Sequence, residues 1–231
     1  MASEQELDEN GITISGPLPQ RIPIITFPKF DAEVKSLLKK HLTREIWSNL
    51  KKKSTRKGGN IQTCVKTGVE NPYCKVGVMA TDDEAYTVFK DLFRPIIKDL
   101  HPKFDFKLVY NFKSLSLNSI EESFNNLKET MNKITSFKID LGRNFRGTPF
   151  TPNMTKEAKL QVERKIVDEM MGNMFGNYYQ LHKLDQKDKD WLKSKGIDVT
   201  NTNMELKAGS VFEDWPVGRG VFINDSRTYV I

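Results

Sequence analysis

Residues 82–100, DDEAYTVFKDLFRPIIKDL, carry the strongest helical pattern in the first half of the sequence. Pro95 lies inside this stretch and predicts a kink or a break there, because proline lacks the amide hydrogen that the helix needs. The apolar side chains recur every three or four positions and form one wide stripe, made of Tyr86, Phe89, Phe93, Ile96, Ile97 and Leu100. The stretch therefore predicts an amphipathic helix that buries one face.

Two shorter helical patterns precede this stretch. Asp31 and Thr43 are the predicted N-caps, because short polar side chains accept hydrogen bonds from the free amides of a first turn. The inward faces follow each cap, with Val34, Leu37 and Leu38 in the first helix and Ile46, Trp47 and Leu50 in the second. We expect a small helical domain over 27–101 and an extended, proline-containing tail over 1–26.

Three further helices are predicted downstream. Apolar residues recur at helical spacing over 119–134 and over 155–171, and Thr155 can cap the second of these. Residues 185–195 predict another helix, which Gly196 closes. An amphipathic helix such as 119–134 more often packs on a core than on a partner, so we expect it to face inward.

The strand signals lie in the second half of the chain. Residues 136–141 alternate as a strand does, and 221–231 predict a β-hairpin that turns at 224–226. We expect a connector with an amphipathic helix over 102–135 and a sheet with helices over 136–231. The predicted fold class is therefore α+β, with a small all-helical N-terminal domain first.

Composition and charge limit the function classes. Hydrophobic residues make up 38% of the chain and charged residues 29%, which fits a globular protein. The formal net charge of +6 is modest and permits an anionic partner. No apolar run approaches the length that spans a bilayer. The polar start at 1–10 and two cysteines without a metal or disulfide pattern predict a cytoplasmic protein.

A cluster of basic residues leaves open a nucleic-acid-binding module. The cluster consists of Lys51-Lys52-Lys53 and Arg56-Lys57. Aromatic residues are not interleaved with it, which disfavours a nucleic-acid surface. Lysines at a helix C-terminus also complement the helix dipole, so the cluster has a structural interpretation. The three histidines lie far apart in the sequence and give no metal-ligand pattern.

Five short stretches carry a family resemblance through their order and spacing. They are TGVENP at 67–72, DEAY at 83–86, FKDLFRPII at 89–97, GRNFRG at 142–147 and DWPVGRGVFIND at 214–225. Together they resemble the phosphagen (ATP:guanidino) kinases, the family of the arginine and creatine kinases, over about residues 27–231. The resemblance implies a small helical domain joined to a larger domain with an antiparallel sheet, of which this sequence holds a part.

The same resemblance implies a degenerate nucleotide site. The family pattern S-S-R-V-R-T-G-R aligns with 136–143, so Lys138 and Asp140 stand where two phosphate-binding arginines are expected. A carboxylate at the second position repels polyphosphate. Ile223 stands where the pattern F-H-N-D has a histidine near the base and ribose, and it cannot hydrogen-bond. Arg143 and Arg146 remain as residual anion contacts.

The guanidino-binding loop of the family aligns with 74–79. Its positions here are Cys74, Lys75, Val76, Gly77 and Met79, and Lys75 and Met79 replace a glycine and a tyrosine. The family's carboxylate motif N-E-E-D-H, reactive cysteine and further arginines would follow position 231. We therefore expect no catalytic residue, no metal and no cofactor, with Mg-ATP needed only if the chain is an enzyme.

The favoured hypothesis is a catalytically inactive, docking or structural protein related to these kinases. The terminal strand, Thr228-Tyr229-Val230-Ile231, is the expected partner surface, because an apolar edge strand invites strand addition. The expected partner is an intact kinase subunit or an acidic cytoskeletal filament, such as a ciliary microtubule. The alternative is an active ATP:guanidino phosphotransferase that another chain or a missing C-terminal segment completes.

Overall fold

The structure is a computed structural model that describes residues 26–108, 133, 135, 142–224 and 228–230. The predicted tail, the helix predicted over 119–134 and the strand predicted over 136–141 fall outside this description, apart from single residues within them. The predicted domain boundaries remain predictions.

Five α-helices form the first half. They are α1 (Leu37–His41), α2 (Arg44–Leu50), α3 (Ile61–Glu70), α4 (Ala85–Val88) and α5 (Lys90–Leu100). Thr43 caps α2 as predicted, accepting from the Ile46 amide at 3.1 Å. The predicted Asp31 cap is wrong, because α1 begins later and Ser36 caps it, accepting from the Lys39 amide at 3.2 Å.

The helical stretch at 82–100 is interrupted at Phe89 and not at Pro95. Phe89 has φ −105° and ψ 28° and separates α4 from α5. Pro95 lies within α5, where its ring removes only the one hydrogen bond to the carbonyl of Asp91. Phe93 and Ile96 on either side of it are buried in the core, and their packing holds the helix together.

The helical core is built around the buried side chains of α1, α2, α3 and α5. Its members include Leu38, Trp47, Leu50, Phe89 and Leu92. Helix α3 was not predicted, because its buried face mixes polar and small residues with apolar ones. Asn60 caps α3 by accepting from the Thr63 amide at 3.0 Å.

The second half contains three helices with regular N-caps. They are α6 (Lys156–Asn173), α7 (Gln186–Ser194) and the unpredicted α8 (Met204–Ala208). Thr155 caps α6 as predicted, and Asp185 forms a capping box at the start of α7. Gly196 follows α7 with φ +77°, the left-handed conformation expected after a helix end. Short 3₁₀ turns lie at Thr151–Asn153 and Leu181–Lys183.

A three-stranded antiparallel sheet completes the described part. Its order is β1 (Asn177–Gln180), β2 (Gly220–Ile223) and β3 (Thr228–Val230). The predicted hairpin is confirmed, because β2 pairs with β3. Strand β1 was not predicted and pairs with the other edge of β2. The α+β fold class is therefore confirmed, with a helical N-terminal part and a small sheet flanked by helices.

Helix α8 joins the two halves by packing on α3. The Thr67 hydroxyl donates to the Glu205 carbonyl at 2.9 Å, and the Lys66 ammonium donates to the Ser210 hydroxyl at 2.7 Å. None of the helices in the described ranges is long and apolar enough to cross a membrane.

Candidate functional site

The loop 74–80 lies between α3 and α1 and supplies backbone hydrogen bonds to both helices. Its Lys75 and Val76 carbonyls accept from the Leu37 and Leu38 amides, each at 2.9 Å. These bonds satisfy free amides at the start of α1. On the other side, the Met79 amide donates to the Cys64 carbonyl at 2.8 Å. The loop is therefore held on both sides by the helical core.

Two glycines allow the loop to approach α3 closely. Gly68 of α3 donates its amide to the Gly77 carbonyl at 3.2 Å. Gly77 has φ +85°, which favours glycine, and a Cβ on it would lie 2.8 Å from the Leu38 Cβ. Gly77 therefore brings the loop backbone close to a helix. The glycines thus fix the position of the loop.

Both cysteines are buried next to this loop. Burial raises the pKa of the Cys64 thiol to about 12, despite a weak contact with the Thr81 hydroxyl. The Cys74 sulfur accepts from the Gly77 amide at 3.1 Å, and burial together with nearby Glu205 raises its pKa. Both side chains are therefore thiols at neutral pH, and neither offers a thiolate nucleophile.

The loop also forms one wall of a cavity of about 380 Å³. Met79 lines this wall, the apolar stripe of α5 lines the second, and Asn144 and Phe150 line the third. The Phe150 amide donates to the Thr81 carbonyl at 2.8 Å, which fixes the third wall against the loop. The structure thus brings the guanidino-loop-like residues and the segment after Gly142 to one place.

The two arginines beside Asn144 are exposed. Arg143 donates through Nη1 to the Gly142 carbonyl at 2.7 Å, a contact with its own neighbour in the chain. Arg146 is also exposed and has an interaction of its own. Neither arginine is one of the described residues that line the cavity. Their predicted role as residual anion contacts stays a prediction.

Ile223 ends strand β2 and is half-buried. It pairs with Asn177 on one side and Thr228 on the other. Its side chain packs against the apolar cluster that contains Leu181, Leu192 and Val221. The Ile223 side chain therefore packs in apolar surroundings.

The DWPVGRG motif at 214–220 is held by charged groups. The buried Lys159 ammonium of α6 donates to the Glu213 carbonyl at 2.6 Å and to Asp214 Oδ2 at 3.1 Å. Arg219 donates to the Val211 carbonyl at 2.8 Å, and its guanidinium carbon lies 5.9 Å from the Trp215 ring centroid. The motif is a folded turn that leads into β2.

Comparison with known proteins places these features in a family. Residues 32–98 match the family model of the ATP:guanido phosphotransferase N-terminal domain. The chain is 35% identical to an arginine kinase of Liolophura japonica over 201 residues, 85% of this chain and 56% of that protein. The substrate-free duplicated taurocyamine kinase of Schistosoma mansoni matches with TM-score 0.71 and 31% identity, over 87% of this chain and 29% of that one. The chain is therefore related to the phosphagen kinases.

The similarity to phosphagen kinases covers only part of their length. An arginine kinase of Schistocerca americana is 33% identical over 210 residues, which are 89% of this chain and 58% of that protein. The crystal structure of lombricine kinase matches with TM-score 0.72 at 24% identity, over 89% of this chain and 56% of that one, and supports the fold alone. The chain spans about half the length of the arginine kinases named here.

Several phosphagen-kinase positions named from the sequence lie outside the described residues. Lys138 and Asp140 are among them, as are Ile231 and the side chain of Tyr229. Over the described ranges, no group of three or more histidine, cysteine or acidic side chains could hold a metal ion.

Sequence reasoning missed the two charged residues that α6 buries. Lys159 and Glu163 are each 4% exposed, and Glu163 accepts from the Tyr178 hydroxyl and from the Gln180 amide at 3.0 Å. Burial, together with the hydrogen bond to Glu163, raises the pKa of Tyr178 above its usual range. The predicted face of Val162, Ile166 and Met170 is only partly buried. The available signal was the i,i+4 spacing of the two charges on one face of the helix.

The basic cluster at 51–57 is partly neutralised. Arg56 Nε lies 2.8 Å from Glu84 Oε1, and Lys57 Nζ lies 2.8 Å from Asp83 Oδ1. The Lys57 ammonium holds the pKa of Asp83 below its usual value. This pairing leaves fewer cations for phosphate contacts, and the nucleic-acid-binding module stays a prediction.

A second cavity, of about 410 Å³, lies between α7 and the segment 197–202. Lys189 and Lys193 line it together with Asp190 and Asp198. The two signs of charge offset each other, so the cavity gives no preference for an anion or a cation.

Proposed function

We propose that this chain is a non-catalytic phosphagen kinase relative that serves as a docking component of a larger assembly. The observation that carries the proposal is the environment of Ile223. The family pattern places a histidine there, whereas this side chain packs on the apolar cluster around Val221. The Ile223 side chain offers no hydrogen-bonding group to a nucleotide.

The guanidino-loop-like residues support the same proposal. The Lys75 and Val76 carbonyls already accept from α1, and Met79 presents a thioether to an apolar cavity. A guanidinium group needs a paired anion when it leaves water, because an unpaired buried charge is costly. None of the described residues that line the cavity is a carboxylate. Guanidino binding is therefore disfavoured at this loop.

For docking, the surface that we propose is strand β3. Among the described strands it pairs with β2 alone, and Val230 at its end is 68% exposed. An edge strand with free backbone groups can accept a strand from a partner. Binding by strand addition favours an intact kinase subunit as the partner. An acidic cytoskeletal or ciliary filament is the other candidate, on the weaker ground of the net charge of +6.

A charge-reversal experiment tests the loss of nucleotide binding. The Asp140→Arg variant is expected to bind Mg-ATP about tenfold more tightly than the unmodified chain, because a repulsive carboxylate becomes a phosphate-pairing guanidinium. The control is Asp168→Arg, which makes the same charge change at an exposed position of α6. Titration with a fluorescent ATP analogue measures the affinity of both variants and of the unmodified chain. Submicromolar binding of the analogue by the unmodified chain would contradict the proposal.

A second candidate function is ATP:guanidino phosphotransfer. The identity of 35% with an arginine kinase favours it. In that case the chain would use Mg-ATP. A further segment of the same chain, or a second chain, would supply the remaining residues of the active site. The substrate would be a guanidino compound such as arginine or, from the structural relatives, taurocyamine or lombricine.

A further inference from the structure

The cavity beside the loop is lined almost wholly by hydrocarbon. The α5 wall presents Phe93, Ile96 and Ile97, and the loop wall presents Val78, Met79 and Ala80. Its volume of about 380 Å³ falls within the range of small-molecule sites. The cavity is therefore large enough for a small ring compound.

The polar groups at this cavity are few and uncharged. Tyr86, Asn144 and Thr151 are the described residues on its lining that carry a side-chain hydroxyl or amide. None of the described lining residues is an acid, a lysine, an arginine or a histidine. A hydrophobic pocket with a few neutral polar groups is typical of sites for uncharged ligands.

We propose that this cavity binds a small, uncharged, mainly apolar molecule. Charge complementarity carries the choice of ligand, because a charged guest would lose its hydration without gaining a counter-ion. The neutral polar groups can accept or donate one or two hydrogen bonds from a guest that carries a hydroxyl, amine or carbonyl. The inference goes beyond the proposed docking function.

The walls are held in place without a ligand. The loop is fixed by its bonds to α1 and α3, and the opposite wall is fixed by the 2.8 Å bond from the Phe150 amide to the Thr81 carbonyl. Met79 packs so closely on the backbone at Gly209 that a Cβ there would lie 2.4 Å from its sulfur. A preformed cavity loses little conformational entropy when a guest enters it.

The test uses N-phenyl-1-naphthylamine, an uncharged aromatic amine whose fluorescence rises in apolar surroundings. Titration into the full chain is expected to give one saturable site with a Kd on the order of 10 µM. The Ile97→Arg variant should bind at least about tenfold more weakly, because it places a cation inside the cavity. An excess of arginine should leave the binding unchanged.

Two further variants make the result interpretable. Leu100→Arg alters the rim of the cavity at a residue that is 46% exposed, so it should fold normally and still weaken binding. Phe175→Arg makes a matched change at a fully exposed residue away from the cavity and should bind like the unmodified chain.

Three outcomes would overturn the inference. The first is the absence of saturable binding. The second is equal binding of the dye by the two cavity variants and the control. The third is that dye binding is lost when sedimentation shows that the chain has self-associated. The last outcome would show that a second copy of the chain covers the cavity. None of them bears on the nucleotide titration, so a failure here is distinct from a failure of the proposed function.

Discussion

Replacing Gly68 with alanine is expected to destabilise the protein by about 3 kcal/mol. The new Cβ would lie 2.5 Å from the Gly77 Cα, 2.6 Å from the Gly77 oxygen and 2.8 Å from the Leu38 Cδ2. Two of these three atoms belong to the backbone and cannot rotate away. The loop would have to move off α3, which also breaks the hydrogen bond between the Gly68 amide and the Gly77 carbonyl.

Gly172→Ala is the matched control for this prediction. Gly172 lies in α6, and a Cβ there would meet nothing within 4 Å. Alanine should therefore stabilise this helix by about 0.5–1 kcal/mol, because glycine loses more backbone entropy on folding. Urea unfolding followed by circular dichroism measures both variants. A free energy of unfolding for Gly68→Ala within about 0.5 kcal/mol of the unmodified chain would refute the close approach.

The second large effect is expected for Lys159→Ala, at about 3 kcal/mol. Its side chain is 3% exposed and pairs with Asp214 at 3.1 Å. Removing the cation leaves the Asp214 carboxylate without that partner and opens a space beside the motif at 214–220. The value lies at the low end for buried pairs, because the Asp214 side chain is 34% exposed and can be hydrated.

Lys156→Ala provides the control for this change. Lys156 is exposed in the first turn of the same helix, so its removal should alter the free energy of unfolding by less than about 0.5 kcal/mol. The same urea titration compares the two variants. If Lys159→Ala proved as mild as Lys156→Ala, the buried pair would not be what holds the motif at 214–220.

Local signals predicted the elements that have strong caps and a regular apolar period. Helix α2 follows from its Thr43 cap, α7 from the stretch 185–195 that Gly196 closes, and the hairpin of β2 with β3 from alternating residues. Helix α3 was missed, because threonine, cysteine and glycine residues lie on its buried face and blur the apolar period on which prediction rests. The helix does not break at Pro95, because packing in the core outweighs the single hydrogen bond that proline removes, and the interruption lies at Phe89 instead.

The candidate site was less predictable than the fold. The sequence identified the loop at 74–79 but not that Gly68 fixes it, since that contact is a tertiary one. It also selected the hydrocarbon face of α6, whereas the structure buries Lys159 and Glu163. For a charged residue on an amphipathic helix, the sequence predicts solvent exposure unless the partner of the charge is known. Here the partners lie in β1 and in the motif at 214–220.

Phosphorus NMR of the chain purified from its native cells shows whether this chain transfers phosphate. The chain is incubated with Mg-ATP and the guanidino compounds considered above, first together with its co-purified proteins and then alone. We expect the chain alone to form no phosphagen, whatever activity its partners carry. A phosphagen signal that grows in proportion to the concentration of the chain alone would contradict it.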